Sequence, residues 1–191
     1  MLKFVTTFGS TWFVTVVVVV VGAQQFWRHR RVAPALFPAT AVIVTVVVDN
    51  TVKLLVHRAR PDIARLVGAA GSSFPSGHSA AAAATWAALA LLYGRHRSRR
   101  VQAILAGIAA AIAIAVAASR VLLGVHWLTD VIAGVLLGWT CFSLCSIAFG
   151  GRIMRFGQPV ATAQATAAAV DKAESNDELE PSSRHSTESL R

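Results

Sequence analysis

Charge is scarce in this chain of 191 residues: 14% are Asp, Glu, Lys or Arg, against 55% that are hydrophobic. Ordinary soluble domains carry about 25% charged residues, so this balance excludes most of them and points to a membrane protein. Acid is scarcer still. Before residue 170 only Asp49, Asp62 and Asp130 occur, and of these only Asp130 stands where it can pair with a histidine. A two-metal centre needs more ligands than that, so no metal and no cofactor is expected. Cysteine is limited to Cys141 and Cys145, four apart in one apolar run, without the Cys-x-x-Cys spacing or the histidine neighbours of a zinc or redox site. They read as buried thiols in a helix. The net charge of +9 comes almost wholly from arginines in short clusters between apolar runs. That pattern suits a membrane surface, and no nucleic-acid partner is expected.

Long apolar runs are what the chain has in plenty. They cover residues 4–25 (Val16 to Val21 unbroken), Val32–Val56, the Ala-rich Ser76–Tyr93 stopped by Gly94, Val101–Ala118 and Leu128–Phe149. Because a bilayer leaves the backbone only helices or closed barrels, β-branched runs such as the first still predict helices. A signal peptide cleaved after Val21-Gly22-Ala23 is the rival reading of that first run, disfavoured because it would leave Arg28, Arg30 and Arg31 outside. The fold class is therefore all-α, a polytopic transmembrane helical bundle of about five spans over residues 1–156. Residues 157–191, rich in Ala, Thr, Ser, Glu and Asp, read as a disordered tail. The basic turns at 28–31 and 95–100, with Arg152 and Arg155, belong in the cytoplasm. Five spans then put the N-terminus outside, the tail in the cytoplasm, and residues 53–78 and 119–130 on the extracytoplasmic face. Gly134-x-x-x-Gly138, and Gly107 with Ala111 and Ala115, read as small-residue ridges for helix packing. Trp12, Trp27 and Trp127 lie near span ends, as interface anchors do.

Three polar clusters interrupt this apolar background. In Ser119-Arg120-Val-Leu-Leu-Gly-Val-His126-Trp-Leu-Thr-Asp130, the last acid and the histidine are four apart. On a helix they share one face, and a carboxylate on one ring nitrogen frees the other for attack. Arg120 adds a planar fork suited to phosphate oxygens. In Pro75-Ser76-Gly77-His78 the proline suits a helix start, the serine can cap it, and the glycine lets backbone approach closely. The N–H groups of Ser76, Gly77 and His78 would then face an anion at a helix N-terminus. That position also disfavours a charged imidazole, which helps a neutral nucleophile and hinders an acid. Lys53 precedes Arg60-Pro61 by seven and follows Asp49 by four, within pairing reach. Asp62, Arg65, His29, His57 and His96 read as solvated charges, as does Arg58, for which a lipid-headgroup contact is the alternative.

Together these residues resemble the three-part signature of the type 2 phosphatidic acid phosphatase superfamily: Lys-six-Arg-Pro, Pro-Ser-Gly-His, and Ser-Arg-five-His-three-Asp. All eleven positions occur here in order and spacing, and residue types that each make up roughly a twentieth of sequence do not match so by chance. The resemblance implies a fold like that of the acid phosphatases and vanadium-dependent haloperoxidases, whose soluble members are disfavoured by the spans. It implies His126 as nucleophile through a phosphohistidine, oriented by Asp130, with His78 as the acid, and phosphate held by Lys53, Arg60, Ser76, Gly77 and Arg120. The expectation is an integral plasma-membrane lipid phosphatase. Its partners are the bilayer and a lipid phosphate, either an isoprenyl pyrophosphate such as undecaprenyl pyrophosphate or a phosphatidic acid-like glycerolipid. A lipid phosphotransferase and a non-enzymatic scaffold or channel are the alternatives, and oligomeric state is left open. Membrane members of the family commonly have six spans, so either the first helix is dispensable here or the start site is internal.

Overall fold

The structure, a computed structural model, describes residues 2–30, 32–62, 66–68 and 71–154. Residues 157–191, expected to form the tail, lie outside the described residues, as does Arg65. Residues up to Phe149 cluster as one compact unit. Among the described residues six helices follow one another: α1 (Leu2–Thr7), α2 (Thr11–His29), α3 (Val32–Val56), α4 (Gly77–Gly94), α5 (Arg99–Leu122) and α6 (Leu128–Met154). No strand occurs among the described residues.

Four of these helices, α2, α3, α5 and α6, are long and apolar enough to cross a membrane. The fifth expected span is α4, and it differs in kind. Its 18 residues are less apolar because neighbouring helices cover it: Ser79 to Thr85, Ala88, Leu89 and Leu92 are all buried. A central helix meets protein rather than lipid, so it need not be hydrophobic all round. Alanine here has a packing use, since short side chains let α3 and α5 come close. The outer helices show the reverse pattern. Val19, Val47, Ile104, Leu136 and Ile147 point outward, an apolar surface suited to hydrocarbon.

The first apolar run is not one helix but two. Gly9 breaks it, because that backbone lies against the His78 carbonyl and Val116, where a side chain has no room. The chain then re-enters a helix at Thr11, with Ser10 as its N-cap residue and the Ser10 hydroxyl donating to the Thr7 carbonyl at 2.7 Å. This break seats α1 against α5 near the first turn of α4.

The two small-residue ridges expected from the sequence fare differently. At Gly134 and Gly138, α6 packs directly on the Ser76 and Ala80 carbonyls of the chain entering α4. Gly107, with Ala111 and Ala115, instead faces outward, and no atom lies within 4 Å of where a Gly107 side chain would begin. The packed face of α5 is formed by Ala109, Ala113, Val116 and Ala117, two positions round the helix. Periodicity identified a small-residue row but not which row faces protein.

These two environments predict a sharp contrast. Gly138→Leu should push α6 off α4 and destabilise the protein by at least the ~1–3 kcal/mol usual for overpacking, read as a lower melting temperature in detergent together with lost activity. Gly107→Leu should leave both nearly unchanged; equal damage from the two would refute this packing.

Candidate active site

The polar end of the bundle is assembled by the segment between α3 and α4 folding back on itself. Ser73 N–H donates to the Arg58 carbonyl at 2.8 Å, its hydroxyl donates to the Ala59 carbonyl at 2.9 Å, and Arg58 N–H reaches the Ser72 hydroxyl at 3.1 Å. This pairing buries Ser73 and aims its carbonyl at the loop between α5 and α6. The same segment contains a cis Phe74–Pro75 peptide bond just ahead of α4.

From the other side, Gly124 ends α5 at a positive φ of 71°, a conformation that costs glycine little. Its N–H bonds the Val121 carbonyl and that of Val125 bonds the Arg120 carbonyl, so the chain turns sharply. His126 lands in that turn, 4% exposed, and α6 begins two residues on. The His126 Nδ1–H donates to the Ser73 carbonyl at 2.7 Å. Donation from Nδ1 leaves the lone pair on Nε2, which faces Arg60 Nη1 at 3.4 Å.

Asp130 does not hold the ring in the way expected from the four-residue spacing. Its Oδ2 lies 3.6 Å from His126 Nδ1, beyond a hydrogen bond, and instead accepts the Trp127 N–H at 2.9 Å. Oδ1 accepts from Arg58 Nη1 at 2.8 Å. The reason is local. His126 lies outside the helix, so the spacing of four does not stack it over Asp130, and the carboxylate turns back from the first turn of α6 to the Trp127 N–H just ahead of it.

The remaining expected residues gather around this pair. Arg60 braces two segments: Nε donates to the Gly71 carbonyl at 3.1 Å and Nη1 to the Val125 carbonyl at 2.9 Å. Arg120, 6% exposed in the last turn of α5, donates from Nη1 to the Thr6 hydroxyl at 3.1 Å, while its buried Nε has no partner among the described residues. Lys53 pairs with Asp49 as its spacing predicted. Gly77 sits directly against that pair, where a β-carbon would come within 2.9 Å of Asp49 Oδ2 and 3.1 Å of Lys53 Nζ. His78, in the first turn of α4, is within electrostatic reach of Arg120, His126, Lys53 and Arg60.

Ser76 requires a correction. Its N–H is not available to an anion, because it donates to the Asp130 carbonyl at 3.0 Å and so ties α4 to α6. Its side chain is buried and does not cap the helix; Oγ accepts from the Ser79 hydroxyl at 2.9 Å. Gly77 and His78 remain as first-turn donors with no helical acceptor. Arg58 is also not the solvated charge it seemed, and Ser73 and Thr6 were not foreseen. Ser73 acts through its backbone carbonyl, which leaves no trace in residue type. Asp62, His57 and His96 are exposed, as solvated charges should be.

Three cations from α3, the α3–α4 segment and α5, gathered about an acceptor nitrogen in the α5–α6 turn, form the kind of site that phosphoryl chemistry uses, set on a helical membrane scaffold. Comparison with known proteins agrees. The chain is 34% identical to phosphatidylglycerophosphatase B of Bacillus subtilis, over 81% of this chain and 76% of that protein. It is also 34% identical to decaprenylphosphoryl-5-phosphoribose phosphatase of Mycobacterium tuberculosis, over 76% of this chain and 77% of that one. The crystal structure of a transmembrane PAP2 type phosphatidylglycerolphosphate phosphatase from Bacillus subtilis superposes with a TM-score of 0.75 at 32% identity, covering 81% of this chain and 77% of that chain. The PAP2 superfamily pattern matches residues 34–154. This chain belongs to the PAP2 superfamily, and it is a membrane lipid phosphatase of that type.

The site's electrostatics predict how His126 titrates. Burial, then the Arg60 and Arg120 guanidiniums, push its imidazole below the ordinary value, and the Ser73 carbonyl and Asp130 pull upward without overcoming them. Lowering means that the ring stays neutral at pH 7 and takes its proton only in acid. Ring ¹⁵N resonances of the substrate-free protein, assigned with His126→Ala, should therefore show His126 titrating well below about 6.5. A midpoint above that would mean that Asp130 governs the ring.

Proposed function

We propose that this enzyme hydrolyses a phosphomonoester of a lipid at the extracytoplasmic face, through a phosphohistidine on His126. The observation that carries the reading is the tautomer: Nδ1 donates to Ser73 while Nε2 keeps a lone pair beside Arg60. In the first step Nε2 attacks phosphorus, the bond from phosphorus to the lipid oxygen breaks, and His78 gives that oxygen its proton. In the second step His78 takes a proton from water, whose oxygen displaces the histidine, and phosphate leaves with Nε2 restored. Lys53, Arg60 and Arg120 neutralise the nonbridging oxygens, and the Gly77 and His78 N–H groups add the positive end of α4. Ser76 holds the site by tying α4 to Asp130. Asp130 orients the loop that carries His126.

The relatives are named for phosphatidylglycerophosphate, lipid A 1-phosphate and decaprenylphosphoryl-5-phosphoribose. These differ in both tail and headgroup, so a phosphate on a lipid is the shared feature, and it supports a monoester substrate. An isoprenyl pyrophosphate is the second reading, since the same cation cluster suits a terminal phosphate on an anhydride. Hydrolysis of a panel of phosphatidylglycerophosphate, phosphatidic acid and polyprenyl phosphates and pyrophosphates by the purified protein separates the two.

The histidines have distinct roles, so they should fail differently. His126→Ala should abolish turnover of every substrate in that panel. His78→Ala should lose about 10²–10⁴-fold on lipid phosphate, the usual contribution of a general acid, yet still release phenol in a burst from an aryl phosphate whose leaving group needs no proton. A burst surviving His126→Ala would move the nucleophile elsewhere.

The extracytoplasmic placement rests on the basic turns. Gly68 is exposed with open space around it, and Ser98 is exposed in the turn before α5. In intact cells, a cysteine placed at Gly68 should react with a membrane-impermeant thiol reagent and one at Ser98 should not. Reversed labelling would put the site in the cytoplasm.

A further inference from the structure

Arg58 lies outside the eleven residues that carry the family resemblance, yet it makes more contacts to the site than a solvated charge would. Its Nη1 donates to Asp130 Oδ1 at 2.8 Å and to the Thr129 hydroxyl at 2.7 Å. Its guanidinium sits 5.8 Å from the centre of the Trp127 ring, in cation–π range. Trp127 is itself held, its indole N–H donating to the Ala59 carbonyl at 3.1 Å. Arg58 therefore touches three of the four residues that follow His126 and pins the first turn of α6 to the segment between α3 and α4.

We propose that Arg58 is a positioning residue for His126, which holds the Asp130 carboxylate away from the imidazole and neutralises it. Nδ1 carries one proton, and two acceptors compete for it: the Ser73 carbonyl at 2.7 Å and Asp130 Oδ2 at 3.6 Å. A carboxylate is ordinarily the stronger acceptor, so the carbonyl prevails only because the carboxylate is engaged elsewhere. Asp130 is fully buried, with Oδ1 committed to Arg58 and Oδ2 to the Trp127 N–H. Without Arg58, a bare buried anion would remain behind the ring. It would draw in Nδ1–H and favour the imidazolium, the form that cannot attack phosphorus. The other charged and titratable groups around the ring are Arg60 between α3 and α4, His78 of α4 and Arg120 of α5, with Lys53 of α3 facing His78. Among these and Arg58, Asp130 is the one acid, so whether its charge is neutralised sets the balance at the ring.

The role rests on His126 being the nucleophile, but its test needs no turnover. The His126 ¹⁵N titration is read in full-length, substrate-free protein for Arg58→Gln, for Arg58→Met, which keeps the aliphatic stem on Trp127, and for Arg58→Gln combined with Asp130→Asn. Either single variant should raise the midpoint by about one pH unit, the lower end of the effect of a close charge. The double variant should bring it back to the wild-type value or below, and Arg58→Lys should rescue most of the shift. A merely structural Arg58 would lower the melting temperature without moving the midpoint, which overturns the proposal. So would a rise that persists in the double variant, since the effect would then not pass through Asp130. Retained turnover in His126→Ala is a separate result and would overturn the nucleophile assignment alone.

Discussion

One buried carboxylate ties the polar end of this molecule together. Asp130 is 0% exposed and meets three elements at once. Its side chain takes the Arg58 guanidinium from the segment before α4 and the Trp127 N–H at the start of α6, and its backbone carbonyl takes the Ser76 N–H at the entry to α4. A buried charge is tolerated only when paired and hydrogen-bonded. The Arg58 guanidinium and the Trp127 N–H are therefore held where they are by the cost of leaving that anion bare, and the Ser76 N–H by the cost of an unmet backbone bond. The segments carrying His126, Ser73 and Gly77 are brought together by these constraints, none of which involves a reacting atom.

The second constraint is mutual repulsion. Arg60 and Arg120 act on one another and on His126, and Lys53 stands close by, balanced in part by Asp49. Two unit charges 4 Å apart interact by about 4 kcal/mol at the effective dielectric typical of protein surroundings. Cations gathered around one histidine leave the site short of negative charge, which suits an anionic ligand. Burial first, and then the same field, keep His126 neutral. Electrostatics thus favours both an anionic ligand and an unprotonated His126 ring, and one arrangement of side chains produces both effects.

The scaffold makes this arrangement possible by letting backbone approach backbone. Gly134 and Gly138 set α6 on the carbonyls of Ser76 and Ala80, and Gly9 sets the turn between α1 and α2 on the carbonyl of His78. All three contacts lie on α4 or at its entry, and α4 is the helix most enclosed by its neighbours. Small side chains are needed there for steric reasons, whereas the lipid-facing helices are free to be bulky. The short α1 then reaches Arg120 through the Thr6 hydroxyl, so the N-terminal residues contribute to the site.

The candidate site residues could be picked out from the chain because polar groups are costly inside an apolar run, and they stand out wherever they are kept. His126, His78, Asp130, Lys53, Arg60 and Arg120 were proposed in this way, and the structure brings them to one end of the bundle; the helical class followed from run lengths against the thickness of a bilayer. The Asp49–Lys53 pair was legible too, since a spacing of four within one helix is a local rule. What was not legible crosses between elements. No local rule says that a backbone carbonyl, that of Ser73, would outcompete a carboxylate four residues from His126, or that Arg58 would claim that carboxylate. Nor does periodicity say which small-residue row meets protein, or that the Ser76 N–H would be used to join helices. Local spacing reports which side chains share a helix face. Only packing between elements decides which acceptor each donor reaches, because that choice depends on distances set by residues dozens of positions away.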